Sequence, residues 1–301
     1  MSGDLRLAPA GFAGSVRPVV LNADGQPVSG LFIQPETEVP RSLVLALHGA
    51  GTSAAYFHGQ AHGGLSFLDL AARFGHSVLA IDRPGYGRSS TWLPLGLAAG
   101  DQAAVITSVL SDVTAHFPIG AGVFLLAHSF GGKVALHLAG DKAIDELLGA
   151  DISGCGHQYA VAPARPGAGG GQSARNWGPL RLYPSGTFSA NARMFSTAPA
   201  REAADALRWP EHFADLAGRI EVPIRLTFAE HEAWWRCDAA ALADLHTRLS
   251  RAPRVVIDQQ PAAGHNVSLG WAAQAYHLRV LAFLEDCLLR REHEPVGGLV
   301  T

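Results

Sequence analysis

The 301-residue chain has little net charge, few cysteines and no long apolar run. Its formal net charge of −3 and pI of about 6.5 give no electrostatic reason to expect nucleic acid or an anionic membrane as a partner. No apolar stretch approaches the roughly 20 residues of a membrane span, and the amino-terminal segment lacks the apolar part of a signal peptide. Three scattered cysteines suggest neither a disulfide framework nor a metal site. These absences predict a cytoplasmic, soluble protein.

Strand-like and helix-like segments alternate along the chain, whose length suits one large α/β domain with or without an insertion. A β-hairpin with an Asp-Gly turn is predicted over 16–34. Short apolar runs predict strands at 43–47, 76–82, 123–127, 147–152, 222–229 and 254–258. Amphipathic stretches predict helices at 64–74, 101–117, 133–139, 238–249 and 268–289. This alternation is typical of a mostly parallel sheet with helices on both faces.

The stretch 122–140 combines a buried strand, a tight turn and a helix. Between strand and helix lies Ala127-His-Ser-Phe-Gly-Gly132. Small residues are needed there because Cβ atoms would collide with the neighbouring strand and helix. Such a turn lifts the Ser129 hydroxyl clear of the sheet, beside the unpaired N–H groups of a helix start. The pattern predicts a nucleophilic serine.

A serine hydroxyl needs a base within hydrogen-bond reach, and the base needs an acidic group to orient it. The best base is His265, in a glycine-containing loop between the last strand and the last helix. The best acid is Glu232, just after the penultimate strand. The order Ser129, Glu232, His265 is the order of nucleophile, acid and base expected on an α/β sheet.

Two further loops follow buried strands. The strand 43–47 ends at His48-Gly-Ala-Gly-Thr52, a small-residue loop of the kind that offers backbone amides at the carboxyl edge of a sheet. His48 and His128 flank this predicted site, and we interpret them as structural or pocket-lining residues rather than bases. The segment 82–89 follows another strand, and its Asp82 and two glycines indicate a structural role.

The pattern changes at residues 157–217, which are rich in proline and aromatic residues and include a glycine-rich run at 167–171. A long loop-rich insertion in a compact α/β chain is more often a functional lid than a connector. We therefore divide the chain into a core amino-terminal part (1–156), a lid or cap (157–217) and a core carboxyl-terminal part (218–301).

Together these motifs resemble those of the α/β-hydrolase superfamily, from about residue 15 to 290. The segments that carry the resemblance are Leu47–Gly51, Asp82–Ser89, Ala127–Gly132, Ala229–Glu232 and Gly264–Asn266. The resemblance implies an α/β-hydrolase fold, an eight-stranded, mostly parallel sheet with helices on both faces and a lid insertion. A serine nucleophile argues against the dehalogenase and epoxide hydrolase branches, which resemble this pattern with aspartate in its place.

The acid has alternatives. Relatives commonly have Gly-X-X-Asp in the acid loop, which Ala229–Glu232 fits with Ala for Gly and Glu for Asp, so Glu232 is favoured. Glu230, two residues nearer the strand, is the main competitor. Some relatives take the acid from the strand after the elbow helix, which makes Asp151 the third choice.

The resemblance also implies an oxyanion hole formed by the backbone N–H groups of Ala50 and Phe130. In the implied mechanism, His265 takes the proton of Ser129 as the hydroxyl attacks a carbonyl carbon, and Glu232 stabilises the imidazolium. The two amides hold the developing oxyanion, and water then releases the acyl group. This chemistry requires no metal and no organic cofactor.

The predicted function is hydrolysis of a carboxylic ester or thioester of a small to medium, fairly apolar molecule. A C–C bond hydrolase or an acyltransferase would use the same triad. A different class is a hydrolase-fold receptor that binds a ligand and turns it over little. The expected partner is a small-molecule substrate, and the sequence does not distinguish a monomer from a homodimer.

Overall fold

The computed structural model describes residues 13–163 and 173–293, and its centre is one eight-stranded sheet. The strands are β1 Arg17–Ala23, β2 Gln26–Ile33, β3 Leu43–Leu47, β4 Ser77–Ile81, β5 Val123–His128, β6 Leu147–Ser153, β7 Ile224–His231 and β8 Val255–Gly264. Their order is β1-β2-β4-β3-β5-β6-β7-β8. β2 pairs antiparallel with β1 and β4, and all other pairs are parallel. The predicted sheet is confirmed.

Helices cover both faces of the sheet. Those in the described ranges are α1 Phe67–Arg73, α2 Ala99–His116, α3 Phe130–Gly140, α4 Thr187–Ala190, α5 Ala200–Ala217, α6 Ala239–Arg248 and α7 Ala273–His293. Alternate side chains of β3 point to opposite faces, so Leu45 packs in one core with α2, α3, α5 and α6, and Val44 in the other with α1 and α7. Across these ranges, no helix is both long and apolar enough to cross a bilayer.

The last strand is longer than expected. The sequence predicts a strand at 254–258, whereas β8 continues to Gly264 through Pro261 and Ala262. β8 is an edge strand, where proline is tolerated. A register shift lies between the pairs Ala229–Gln260 and His231–Gly264, so β8 carries extra residues in a bulge. The bulge brings the end of β8 level with the end of β7.

The segment between β6 and β7 contains an 18-residue helix, α5, where the sequence suggested loops. Pro210 lies inside this helix although proline disfavours a helix interior, because its ring nitrogen cannot donate to the carbonyl four residues before it. That carbonyl belongs to Ala206 and instead accepts a hydrogen bond of 2.9 Å from the Tyr159 hydroxyl. The buried side chains of Trp209 and Phe213 fix the helix against the core. The glycine-rich run 167–171 lies outside the described residues.

Candidate active site

Ser129 lies at the sharp turn between β5 and α3. Its backbone has φ 52° and ψ −116°, an unfavourable conformation for a residue with a side chain. The Ser129 N–H is held by the Ser153 carbonyl oxygen at 2.8 Å. A Cβ atom at Gly131 would lie 2.1 Å from the Leu47 carbonyl oxygen. Only glycine fits there, as the sequence pattern predicted.

His265 directly follows β8 and faces Ser129. Its Nε2 lies 3.0 Å from Ser129 Oγ, and its Nδ1 lies 2.8 Å from Glu232 Oε2. The side chains of His265 and Glu232 are both buried. A Cβ atom at Gly154 would lie 2.7 Å from His265 Cε1, so this position after β6 has room for the imidazole ring only if it carries no side chain. The structure thus brings together the three residues predicted as nucleophile, base and acid.

Glu232 is held in its ionised form. Its Oε1 accepts hydrogen bonds from the backbone N–H groups of Ala233 and Trp234, at 3.1 and 2.9 Å. Burial alone would raise the pKa of the Glu232 carboxyl, but the charge and hydrogen bond of His265 and the two backbone donors lower it below its usual value. An ionised carboxylate at Nδ1 leaves Nε2 as the acceptor for the serine proton.

The two alternative acids lie elsewhere. Glu230 is exposed and accepts a hydrogen bond of 2.7 Å from the Ala262 N–H in the β8 bulge. Asp151 is buried in β6, where it pairs with Arg225 and accepts from the Tyr276 hydroxyl at 3.2 Å. Neither carboxylate hydrogen-bonds His265, whose two ring nitrogens form hydrogen bonds only with Ser129 and Glu232 among the described residues.

The amides of Ala50 and Phe130 are positioned as donors without acceptors. Phe130 is the first residue of α3, so its N–H has no partner within the helix. Within residues 13–163 and 173–293, neither amide has a hydrogen-bond acceptor. Both residues line one cavity with Ser129. The loop that carries Ala50 also approaches closely, because a Cβ atom at Gly49 would lie 3.1 Å from Ser129 Cβ.

Behind this loop lies a buried network of polar side chains whose contacts the sequence did not predict. The Arg83 guanidinium donates to the His48 carbonyl oxygen at 2.6 Å and to Glu202 at 2.5 Å. The Tyr86 hydroxyl donates to Glu202 at 2.7 Å and accepts from the Gly51 N–H at 3.0 Å. Glu202 belongs to α5, so a helix of the segment between β6 and β7 anchors the loop after β3. The sequence of the loop 82–89 indicated a structural role, whereas nothing in the sequence around Glu202 indicated that it binds Arg83.

Asp82, His48 and His128, which the sequence analysis interpreted as structural or pocket-lining residues, form no hydrogen bond with Ser129 in the described structure. Asp82 accepts from the Ala54 N–H and the Ser29 hydroxyl, at 2.9 and 2.6 Å. Burial lowers the pKa of His48 and of His128 well below the usual value, so both rings are neutral. Neither ring contacts Ser129 through a hydrogen bond in the described structure.

Two cavities open beside Ser129. One, of about 240 Å³, is lined by His265 and Asn266 and by Trp177 and Phe195 from the segment between β6 and β7. The other, of about 170 Å³, includes neither His265 nor Asn266 among its walls, and both cavities include Ala50. Its remaining walls are Phe130, Lys133, Tyr159, Pro163, Asn176, Ala206, Trp234 and Trp235. Within the described ranges, no three His, Cys, Asp or Glu side chains cluster as metal ligands would.

A serine, a histidine and a carboxylate joined at the carboxyl edge of a mostly parallel sheet define a hydrolase-type site. The profile of the alpha/beta hydrolase family matches residues 43–281. The chain therefore belongs to the alpha/beta hydrolase family, as its motifs suggested.

Two proteins of known name are similar to this chain over only part of their sequences. RutD of Variovorax paradoxus (strain S110), provisionally named a carbamate hydrolase, is 36% identical over 99 residues, which are 33% of each protein. Human monoglyceride lipase is 32% identical over 128 residues, 42% of this chain and 38% of the lipase. The chain thus matches little more than a third of these curated relatives. A carboxyl esterase from Bacillus coagulans has the same fold, with a TM-score of 0.68 and 15% identity. The match covers 91% of this chain and 99% of the esterase.

Proposed function

We propose that the protein is a serine hydrolase that cleaves a carboxylic ester or thioester of a small to medium substrate through an acyl-enzyme on Ser129. The observation that carries the proposal is the continuous chain of hydrogen bonds from Ser129 through His265 to Glu232. Esterase and lipase activity in the names of the similar proteins supports the choice of ester bonds. A cytoplasmic location stays a prediction from the sequence.

In the proposed mechanism, His265 accepts the Ser129 proton through Nε2 while the hydroxyl oxygen attacks the carbonyl carbon. Glu232 stabilises the imidazolium through Nδ1. The N–H groups of Ala50 and Phe130 stabilise the oxyanion, and removal of one such donor typically costs about 10²–10³ in rate. His265 then protonates the leaving group, and an activated water molecule hydrolyses the acyl-enzyme.

Labelling with a serine-directed fluorophosphonate, followed by intact-protein mass spectrometry, tests the nucleophile. We expect one adduct on the wild type, none at that site in Ser129→Ala, and slower labelling in His265→Ala. Ser196→Ala is the matched control, because Ser196 lines the same cavity without contacting His265, and it should label like the wild type. Ester turnover should fall at least about 10³-fold in Ser129→Ala.

The same experiment separates the candidate acids. Glu232→Gln should slow labelling strongly, because the imidazole loses the carboxylate that orients it, whereas Glu230→Gln should label at the wild-type rate. Slow labelling of Glu230→Gln together with wild-type labelling of Glu232→Gln would instead identify Glu230 as the acid of the triad. A folded wild type that takes no label would contradict an activated serine and favour a ligand-binding receptor.

A further inference from the structure

A buried lysine lies one helical turn from the nucleophile. Lys133 is the fourth residue of α3 and is only 3% exposed. It is one of two lysines in the chain, and the other, Lys142, is exposed and paired with Glu221. Burial of an ammonium group costs free energy unless the charge is compensated, so its surroundings require an explanation.

Aromatic rings surround the ammonium. Its Nζ donates a hydrogen bond of 2.7 Å to the Tyr159 hydroxyl. Four ring centroids lie 5.0–5.8 Å away, those of Phe130, Tyr159, Trp209 and Trp235. Aromatic faces attract a cation through their quadrupoles, but they compensate a buried charge less completely than a carboxylate does.

No carboxylate of the described chain forms an ion pair with Lys133. Glu202 is already bound to Arg83, and Asp205 accepts from the Ala99 N–H and faces His212. The segment 164–172, which follows the cavity residue Pro163, contains no Asp or Glu in its sequence. An ammonium has three N–H donors, and Tyr159 accepts one. Burial lowers the pKa of Lys133 to about 8, so the group is still largely protonated at neutral pH.

Lys133 lines the 170 Å³ cavity together with Ser129 and the two amide residues, Ala50 and Phe130. His265 lines the other cavity. The base must reach the leaving-group atom in order to protonate it, so the leaving group belongs on the His265 side. The acyl group then extends into the cavity of Lys133. This cavity is smaller than the roughly 300–1,000 Å³ of sites for drug-sized ligands, which favours a short acyl chain.

We propose that this cavity is an acyl subsite for a short chain that ends in a carboxylate, which Lys133 binds. The assignment rests on the proposed ester hydrolysis and narrows it to half-esters or half-thioesters of short dicarboxylic acids. The carboxylate would accept hydrogen bonds from the Lys133 N–H groups that are not bonded to Tyr159, and its negative charge would compensate the buried ammonium. The aromatic walls would contact the methylene groups between the two ends.

Three methyl esters that differ only at the far end of the acyl chain test the subsite. They are monomethyl glutarate, methyl 5-oxohexanoate and methyl hexanoate, with hydrolysis followed by titration of the released acid. In the wild type, we expect kcat/KM for monomethyl glutarate to exceed that for methyl hexanoate by about 10- to 100-fold, the usual range for a hydrogen bond to a charged group. In Lys133→Met, this ratio should fall to one or below.

Lys142→Met is the matched control, since it removes the other lysine from the surface, and it should keep the wild-type ratio. A wild type without a preference for the carboxylate, or a preference that survives in Lys133→Met, would overturn the proposal. A preference for the ketone over the carboxylate would also overturn it. Protection of Ser129 from the fluorophosphonate by each ester measures the same preference through a readout other than the released acid. Absent labelling would instead be the failure of the proposed function.

The pH dependence in the wild type gives a second test that needs no variant. The titratable or charged groups around the ammonium are Tyr159, Cys155, Asp205, Glu202 and Arg83. Cys155 is neutral there because burial raises the pKa of its thiol to about 12. The carboxylate preference should therefore fall as pH rises through about 8, where the free ammonium loses its proton. A preference that stays constant from pH 7 to 10 would contradict binding by Lys133.

Discussion

The regions on the two sides of Ser129 each contain a buried cation, and they treat it differently. Behind the loop after β3, Arg83 is bonded to the carboxylate of Glu202, to Gln102 and to the His48 carbonyl oxygen. Beside the smaller cavity, Lys133 has one hydroxyl acceptor and aromatic walls. A buried cation that is paired with a carboxylate holds two parts of the fold together, whereas one with free donors at a cavity wall is available to a ligand.

The largest expected effect comes from breaking the satisfied pair. Glu202→Gln leaves the Arg83 charge buried without its counter-ion, which should lower the free energy of unfolding by roughly 3–5 kcal/mol. Urea denaturation at pH 7 measures it. Glu211→Gln, on the exposed face of the same helix, is the control and should keep the wild-type midpoint. Equal stability of the two variants would mean that the network does not anchor α5.

A smaller effect should come from Lys133, with a sign set by pH. The folded-state pKa of Lys133 is about 8, below the unfolded value of about 10.4. The cost of the buried charge is therefore fully present below pH 8 and disappears above about 10.4, a range of about 3 kcal/mol at most. Relative to Lys133→Met, the wild type should become more stable between pH 7 and 10. A constant difference, measured by urea denaturation, would show that the ammonium is not buried.

The smallest effect should come from Tyr86→Phe, which touches the loop rather than the ion pair. The variant removes the acceptor of the Gly51 N–H and one donor to Glu202. Unsatisfied buried groups typically cost about 1–3 kcal/mol, and the loop that carries Ala50 should lose some of its order. We expect a lower midpoint in urea and a lower kcat at similar KM. Wild-type values of both would argue that Arg83 alone holds the loop.

The predictable parts of this molecule are those in which the signal is local. The strand β5 before Ser129, the small residues around Ser129 and the chain order of Glu232 and His265 can be found by following the sequence, and the structure places Ser129, His265 and Glu232 in contact. The extension of β8 was missed because a bulge depends on pairing with β7. The helix α5 was missed because Pro210 suppresses the helical signal.

Long-range partners could not be predicted. Arg83 and Glu202 are far apart in the chain, and nothing near either residue indicates the other. Lys133 is visible in the sequence as the start of a helix, but the rings around its ammonium come from residues 130, 159, 209 and 235. Its environment therefore exists only after the segment between β6 and β7 has packed against α3.

The proline of α5 has an effect that reaches past its own helix. Pro210 lacks an N–H, so the Ala206 carbonyl is left to the Tyr159 hydroxyl, which gives its only proton to that oxygen. The Tyr159 oxygen can then act towards Lys133 solely as an acceptor. A residue normally regarded as a helix breaker thereby sets the direction of a hydrogen bond at the cavity wall, through one carbonyl and one phenol, without touching the amine itself.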